Sequence, residues 1–300
     1  MATRRARVKA FAKLNLCLEV LGRRSDGFHE LRTVFQTISL ADTIEAEFTP
    51  SRRTDAVLES DLDIPDNLVL RAARAVLDAT NAKGIARFRL VKRIPMGGGM
   101  GGGSSDAAAV LLALPALTGK PLKWNQLLDI AARLGSDVPF FLIGGTALGL
   151  GRGTELYPIA EAKAAHVLVV APGIHVSTPE AYNALGRPLL SEAPPRSNVA
   201  QQLAMNLSDG VDWHRFAVND FEPAVFQRHP ELKRIKAKLA RLGAKPALMS
   251  GSGSSVFGIF SSVSDLRTAA SAFKEHTVYP VSFLSRSRYH VANRRQDVPD

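Results

Sequence analysis

The stretch Pro95-Met96-Gly97-Gly98-Gly99-Met100-Gly101-Gly102-Gly103-Ser104-Ser105-Asp106 constrains this chain more than any other. A strand-like run, Phe88 to Ile94, leads into it, and the apolar, alanine-rich Ala107 to Leu114 leads out with the character of a helix. Glycine lets successive backbone N–H groups turn toward one concave point and lets a ligand approach without meeting a Cβ. The helix start that follows adds unpaired donors and a positive dipole end, so strand, glycine loop and helix together form a cradle for phosphate.

Two common phosphate loops are excluded. A Walker A loop closes on Gly-Lys-Ser/Thr, whereas Gly103 is followed by Ser104 and Ser105. A Rossmann fingerprint needs an acidic residue at the end of a second parallel strand, and nothing between Lys123 and Asp129 reads as one. A flexible linker is a poorer explanation, because linkers are seldom fenced so closely by a strand and an apolar helix.

With 300 residues, 46% of them hydrophobic and 22% charged, the chain has room for two globular domains. No run is long and apolar enough to span a bilayer, and Met-Ala-Thr-Arg-Arg-Ala-Arg does not open a signal peptide. One cysteine, Cys17, has no internal partner, which suits a reducing compartment; the expectation is a cytoplasmic enzyme without a membrane partner. The net charge of +10 admits nucleic acid or polyanionic small molecules as partners. Basic residues are scattered in short groups such as Arg23-Arg24 and Lys92-Arg93 and are not interleaved with aromatics, so nucleic acid is not expected.

From Val8 to Val20 the residues alternate, with Val8, Ala10, Ala12, Leu14, Leu16, Leu18 and Val20 on an apolar inner face. Lys13 and Asn15 share the other face. A turn at Gly22 to Gly27 leads to Phe28 and His29, followed by two β-like runs, Thr33 to Leu40 and Thr43 to Phe48. Asp66-Asn67 offers a cap for a helix from about Leu68, and another helix runs from about Asn125 to a C-cap at Gly135. Asp137 stands before Val138, Pro139, Phe140 and Phe141, where it can cap a helix or act as a partly desolvated proton acceptor.

The domain boundary is expected near Ala160 to Lys163, giving domains 1–162 and 163–300. In the second half, His166 to Ala171 reads as a buried strand, Ser177 to Glu180 as a capped helix start with Tyr182 in its first turns, and 186–197 as a proline- and serine-rich loop. Helices follow near Asn198 to Leu207, Glu231 to Leu242 and Asp265 to Lys274, and a strand near Val278 to Phe283. A second glycine-serine cluster, Ser250-Gly251-Ser252-Gly253-Ser254-Ser255, is either a tight turn or a loop that closes over the ligand.

Taken together, Ala12 to Leu16, Pro95 to Asp106 and Ser250 to Ser255 resemble, in order and spacing, the three motifs of the GHMP kinases. The segments Asp26 to Leu31 and Leu134 to Phe140 narrow the resemblance to the family of 4-diphosphocytidyl-2-C-methyl-D-erythritol kinases. The resemblance implies an α+β chain, with an N-terminal domain like that of a ribosomal protein and a ferredoxin-like C-terminal α/β sandwich. It implies an enzyme of the methylerythritol phosphate route to isoprenoids that moves the γ-phosphoryl of ATP, carried with Mg²⁺, onto the 2-hydroxyl of a cytidine-bearing alcohol. Asp137 would be the base and Lys13 its partner, and Pro95, Met96, Gly97, Gly98, Gly99, Met100, Gly101, Gly102, Gly103, Ser104 and Ser105 would bind the ATP phosphates. Asn15 and His29 would contact the acceptor, Phe28 and Tyr182 would flank its cytosine, and Thr178 would line the same pocket. No carboxylate pair stands out to hold the metal, so no metal ligand is named; a monomer or weak homodimer is expected.

The sequence departs from the family in having Phe11 where proline is usual, Phe28 where tyrosine is usual and Tyr182 where phenylalanine is usual. Phe28 keeps a stacking face and lacks the hydroxyl. The alternatives are another GHMP kinase acting on a different small alcohol, and a basic nucleic-acid-binding module.

Overall fold

The computed structural model describes residues 2–60, 66–163, 165–190, 198–209, 213–293 and 296–297. The loop expected at 186–197 lies outside them from 191 onward. The chain opens with two long antiparallel strands, β1 (Arg4–Arg23) and β2 (His29–Pro50), followed by β3 (Asp55–Ser60), α1 (Leu68–Thr80) and β4 (Gly84–Val91). Next come α2 (Gly102–Thr118), α3 (Trp124–Leu134), the short α4 (Val138–Ile143), and a hairpin of β5 (Thr146–Leu150) and β6 (Glu155–Pro158). The second half contains β7 (His166–Ala171), α5 (Thr178–Ala184), α6 (Val199–Asp209), α7 (Glu222–Arg228), α8 (Pro230–Arg241), β8 (Ala247–Met249) and β9 (Val256–Phe260). It ends with α9 (Val263–Ser271), β10 (Thr277–Ser282), α10 (Arg286–Ala292) and β11 (Gln296–Asp297).

These elements make two sheets with helices, the α+β arrangement anticipated. The seven-stranded sheet runs β11-β1-β2-β4-β3, with β5 on β2 and β6 on β5; the four-stranded sheet runs β10-β7-β9-β8. One edge of β2 serves two neighbours, because Thr33 to Gln36 pair with β5 while Thr43 to Pro50 pair with β4. The two β-like runs of the sequence are therefore one strand, continuous through Ala41 and Asp42.

Local signals explain most boundaries. Asn67 caps α1 by accepting from the Val69 N–H at 2.9 Å, and Ser262 does the same for α9 from Asp265. Helix α2 is apolar on every side and correspondingly buried, with Val110, Leu111 and Leu114 inaccessible beneath the large sheet. It begins at Gly102, so Gly102, Gly103 and Ser104 form the first helical turn and the loop proper is shorter than the sequence suggested.

Strand β1 departs most from expectation, since from Ala10 to Leu21 it is buried on both faces. Ala6, Val8 and Ala10 pack with α1 and α2, whereas Ala12, Leu14 and Leu16 pack with Val167, Val169 and Phe257. Leu18 and Val20 enter a further cluster with Leu168, Val170 and Leu232. A β-bulge between Asn15 and Cys17 shifts the register and re-aims the following side chains. Among the described residues no helix is long and apolar enough to cross a membrane.

Candidate active site

A cleft of about 870 Å³ is lined by β1, the Phe28 turn, the glycine loop with the start of α2, Asp137, Arg152, α5 and Gly251. Of the residues singled out in the sequence, Lys13, Asn15, Phe28, His29, Pro95 to Ser104, Asp137, Thr178 and Tyr182 all line it. Ser105 does not: it is buried, and its hydroxyl donates to the Phe11 carbonyl at 2.7 Å, serving the fold.

Gly97, Gly99 and Gly101 have φ of +66°, +72° and +70°, so every second residue of the loop is left-handed and the peptide planes curl into a nest. The carbonyl side is taken. Ser254 N–H donates to Gly97 O and Ser255 N–H to Gly98 O, both at 3.3 Å, while the Ser250 hydroxyl and Lys13 Nζ donate to Gly99 O at 3.0 Å. Lys13 N–H donates to Met100 O at 3.0 Å. Among the described residues the N–H groups of Gly97 to Gly101 have no acceptor, which leaves donors for a ligand. The second glycine-serine cluster thus braces the first from behind. Gly99 is obligatory on steric grounds, since a Cβ there would lie 2.0 Å from Ser250 O.

Lys13 is 4% exposed, and besides Gly99 its Nζ donates to Asn15 Oδ1 at 2.7 Å and lies 3.5 Å from Asp137 Oδ2. The Asn15 amide is itself fixed, because its Nδ2 donates to Thr33 Oγ1 at 2.7 Å and that hydroxyl donates to Cys17 O. Asp137 occupies the N-cap position of α4 and makes no capping bond with its side chain, so capping does not consume the carboxylate. Val138, Phe140, Phe141 and Leu142 turn into the core, leaving the carboxylate one-third exposed at the cleft. Tyr289 anchors the helix by donating its buried hydroxyl to Phe141 O.

The cleft is also lined by a group of aromatic rings. Tyr182 stacks on His29 with centroids 4.6 Å apart and 22° between planes, and Phe221 meets Tyr182 edge-on at 4.8 Å. Burial, then nearby Arg23, lowers the His29 pKa, favouring the neutral imidazole. Phe28 stands apart and half exposed, with the Arg152 guanidinium 4.3 Å from its ring centre. Thr178 joins this wall to the brace through a 2.9 Å contact between its hydroxyl and that of Ser252.

Sequence reasoning missed Arg152, Phe221 and a buried ionic cluster below the start of α2. Lys92 Nζ donates to Asp42 Oδ2 at 2.5 Å and Asp106 Oδ2 at 2.8 Å, and Asp42 Oδ1 also accepts from Ile94 N–H at 2.8 Å. Burial pushes the Asp106 carboxyl up to about 7 against the opposing pull of Lys92, and its Oδ1 is buried without a partner. Burial works against the Lys92 charge, but Asp106 and Asp42 outweigh it and its pKa is raised. A carboxylate pair therefore exists, shared by an ammonium. Among the described residues no group of three or more His, Cys, Asp or Glu side chains is placed to hold a metal.

A loop of free amides beside a lysine and a carboxylate suits phosphoryl transfer, and comparison with known proteins decides the family. Residues 67–145 match the GHMP kinases N terminal domain and residues 202–278 the GHMP kinases C terminal domain. A 4-diphosphocytidyl-2-C-methyl-D-erythritol kinase of Solibacter usitatus is 52% identical over 98% of this chain and 93% of its own length. The chain belongs to the 4-diphosphocytidyl-2-C-methyl-D-erythritol kinase family of GHMP kinases. It is accordingly an ATP-dependent kinase. A family relative from Heliobacterium modesticaldum is 38% identical over 90% of each chain. A crystal structure of a 4-(cytidine 5'-diphospho)-2C-methyl-D-erythritol kinase superimposes with a TM-score of 0.78 at 38% identity, covering 92% of this chain and 98% of the other. Homoserine kinase from Cytophaga hutchinsonii, 18% identical with a TM-score of 0.69 over 98% and 97% of the chains, shares the fold.

Proposed function

We propose that this kinase transfers the γ-phosphoryl of ATP to the 2-hydroxyl of 4-diphosphocytidyl-2-C-methyl-D-erythritol, with Asp137 as general base and Lys13 as its partner. The observation that carries the reading is the position of Lys13, 3.5 Å from Asp137 and bonded to the carbonyl of Gly99. One cation therefore touches both the base and the loop proposed to grip the triphosphate. In this reading the acceptor hydroxyl lies against Asp137, which takes its proton as the oxygen bonds to the γ-phosphorus and ADP departs.

Phosphoryl transfer asks a protein mainly for alignment and charge compensation. The loop amides and the first turn of α2 supply donors toward phosphate oxygens, and the Lys13 ammonium supplies a fixed positive charge in a largely buried position. Mg²⁺ bound to ATP neutralises phosphate charge. With no ready-made cluster of protein ligands among the described residues, such an ion would take its oxygens from phosphate and water. The Tyr182 and His29 stack, with Phe28 nearby, forms an aromatic wall suited to a nucleobase.

The reading includes a cytoplasmic monomer or weak homodimer that uses no nucleic acid. The deciding experiment compares ATP turnover on the cytidine substrate, mevalonate and homoserine. Turnover confined to the cytidine substrate is expected; preference for either of the others overturns the assignment.

A further inference from the structure

The segment Val218 to Glu222 joins β1, the brace and the aromatic wall. Leu18 N–H donates to Val218 O at 2.8 Å and Asp220 N–H returns a bond to Leu18 O at 2.9 Å, so the segment runs alongside β1. Asp220 Oδ2 accepts from Val20 N–H at 2.9 Å and from Arg187 at 2.7 Å.

Asn219, 5% exposed, spends both amide hydrogens on the brace: Nδ2 donates to Met249 O and to Gly251 O, each at 2.8 Å. Its Oδ1 accepts from Phe221 N–H at 2.9 Å, turning the chain into α7. Glu222 completes the grip by accepting from Met249 N–H at 2.9 Å while Lys236 pairs with its other oxygen. Met249 is thereby held at both its N–H and its carbonyl, directly before Ser250, whose hydroxyl holds Gly99. Two residues along from Asn219, the Phe221 ring supports Tyr182.

We propose that Asn219 is a positioning residue for the glycine loop, acting through Met249, Gly251 and Ser250, and that Phe221 in the same segment separately positions the aromatic wall. The two tasks divide by ligand. Asn219 governs the grip on ATP, and Phe221 governs the grip on the cytidine-bearing acceptor. The proposal rests on the loop being the ATP site and the Tyr182 wall being the acceptor site.

The test measures dissociation constants for ATP and for the cytidine substrate separately, by direct binding to the full chain. Asn219→Ser keeps an oxygen able to accept from Phe221 N–H but lacks the two-handed amide, and Asn219→Asp keeps the shape and the acceptor while removing both donors. Both variants are expected to weaken ATP about tenfold, with the cytidine substrate changed less than about twofold, because two buried hydrogen bonds are lost on one side only. Phe221→Leu is expected to show the reverse pattern. Equal weakening of both ligands, or no change, overturns the proposal. Gly101→Ala separates this failure from that of the underlying reading: a Cβ there meets Phe141 ring atoms at 2.9 Å with φ at +70°, so it should abolish ATP binding if the loop is the site. Normal ATP binding by Gly101→Ala overturns the loop assignment and the proposal with it, whereas its loss alongside unchanged Asn219 variants overturns the proposal alone.

Discussion

Lys13 Nζ stands 3.5 Å from Asp137 Oδ2, facing it from β1 across the cleft while bonded to the loop that follows β4. Asp137→Asn keeps the shape of the residue and removes its ability to take a proton. Turnover should fall by at least about a thousandfold, while ATP affinity changes less than about threefold, because the carboxylate makes no bond to the loop. Steady-state rates and direct nucleotide binding check the split; near-normal turnover excludes Asp137 as the base.

Gly99 and Gly27 both have positive φ, yet only Gly99 lies against backbone. Gly27→Ala should cost about 1 kcal/mol for the left-handed conformation alone. Gly99→Ala adds a clash with Ser250 O and should cost about 3 kcal/mol or more, together with ATP binding. Chemical denaturation of the two variants side by side measures the difference, and equal costs would mean that the brace yields freely.

Asp106, with its carboxyl raised to about 7 by burial, binds a proton more readily folded than unfolded. A group of that sign contributes stability that is full below its unfolded pKa near 3.8 and is lost as pH rises through about 7. Asp106→Asn lacks this dependence. Between pH 5 and pH 8.5 its stability should therefore fall less than that of the wild type by about 2 kcal/mol, measured by urea denaturation at each pH. Parallel curves would show that Asp106 remains ionised throughout.

Tyr182 supports the His29 ring on one face of the cleft, far in role from the phosphate loop. Tyr182→Ala should raise KM for the cytidine substrate about tenfold or more and leave KM for ATP within about twofold. Similar changes in both would argue that the wall serves the whole cleft.

Local chemistry made much of this legible. The Asn67 cap, the left-handed glycines of the loop and the shared face of Lys13 and Asn15 are each written in a few neighbouring residues. Illegible features were those made by distant partners. Asp42 and Asp106 meet only because both converge on Lys92, and Arg152 reaches Phe28 only through the β5–β6 turn. That Ala12, Leu14, Leu16, Leu18 and Val20 pack against the second half of the chain, and not with Val8 and Ala10, is something no periodicity within β1 could signal. The stacking of His29 on Tyr182 was illegible for the same reason, since Tyr182 lies on α5.

Because β1 gives Val8 and Ala10 to one core and Leu18 and Val20 to another, a fragment cut after residue 162 would be left with a greasy flank where Leu168, Val170 and Leu232 had been. Newly made N-terminal chain emerging from a ribosome faces that same exposure until its remainder follows. Lys13 sits in the middle of the strand at risk, so the cleft it lines and the completed polypeptide arrive together.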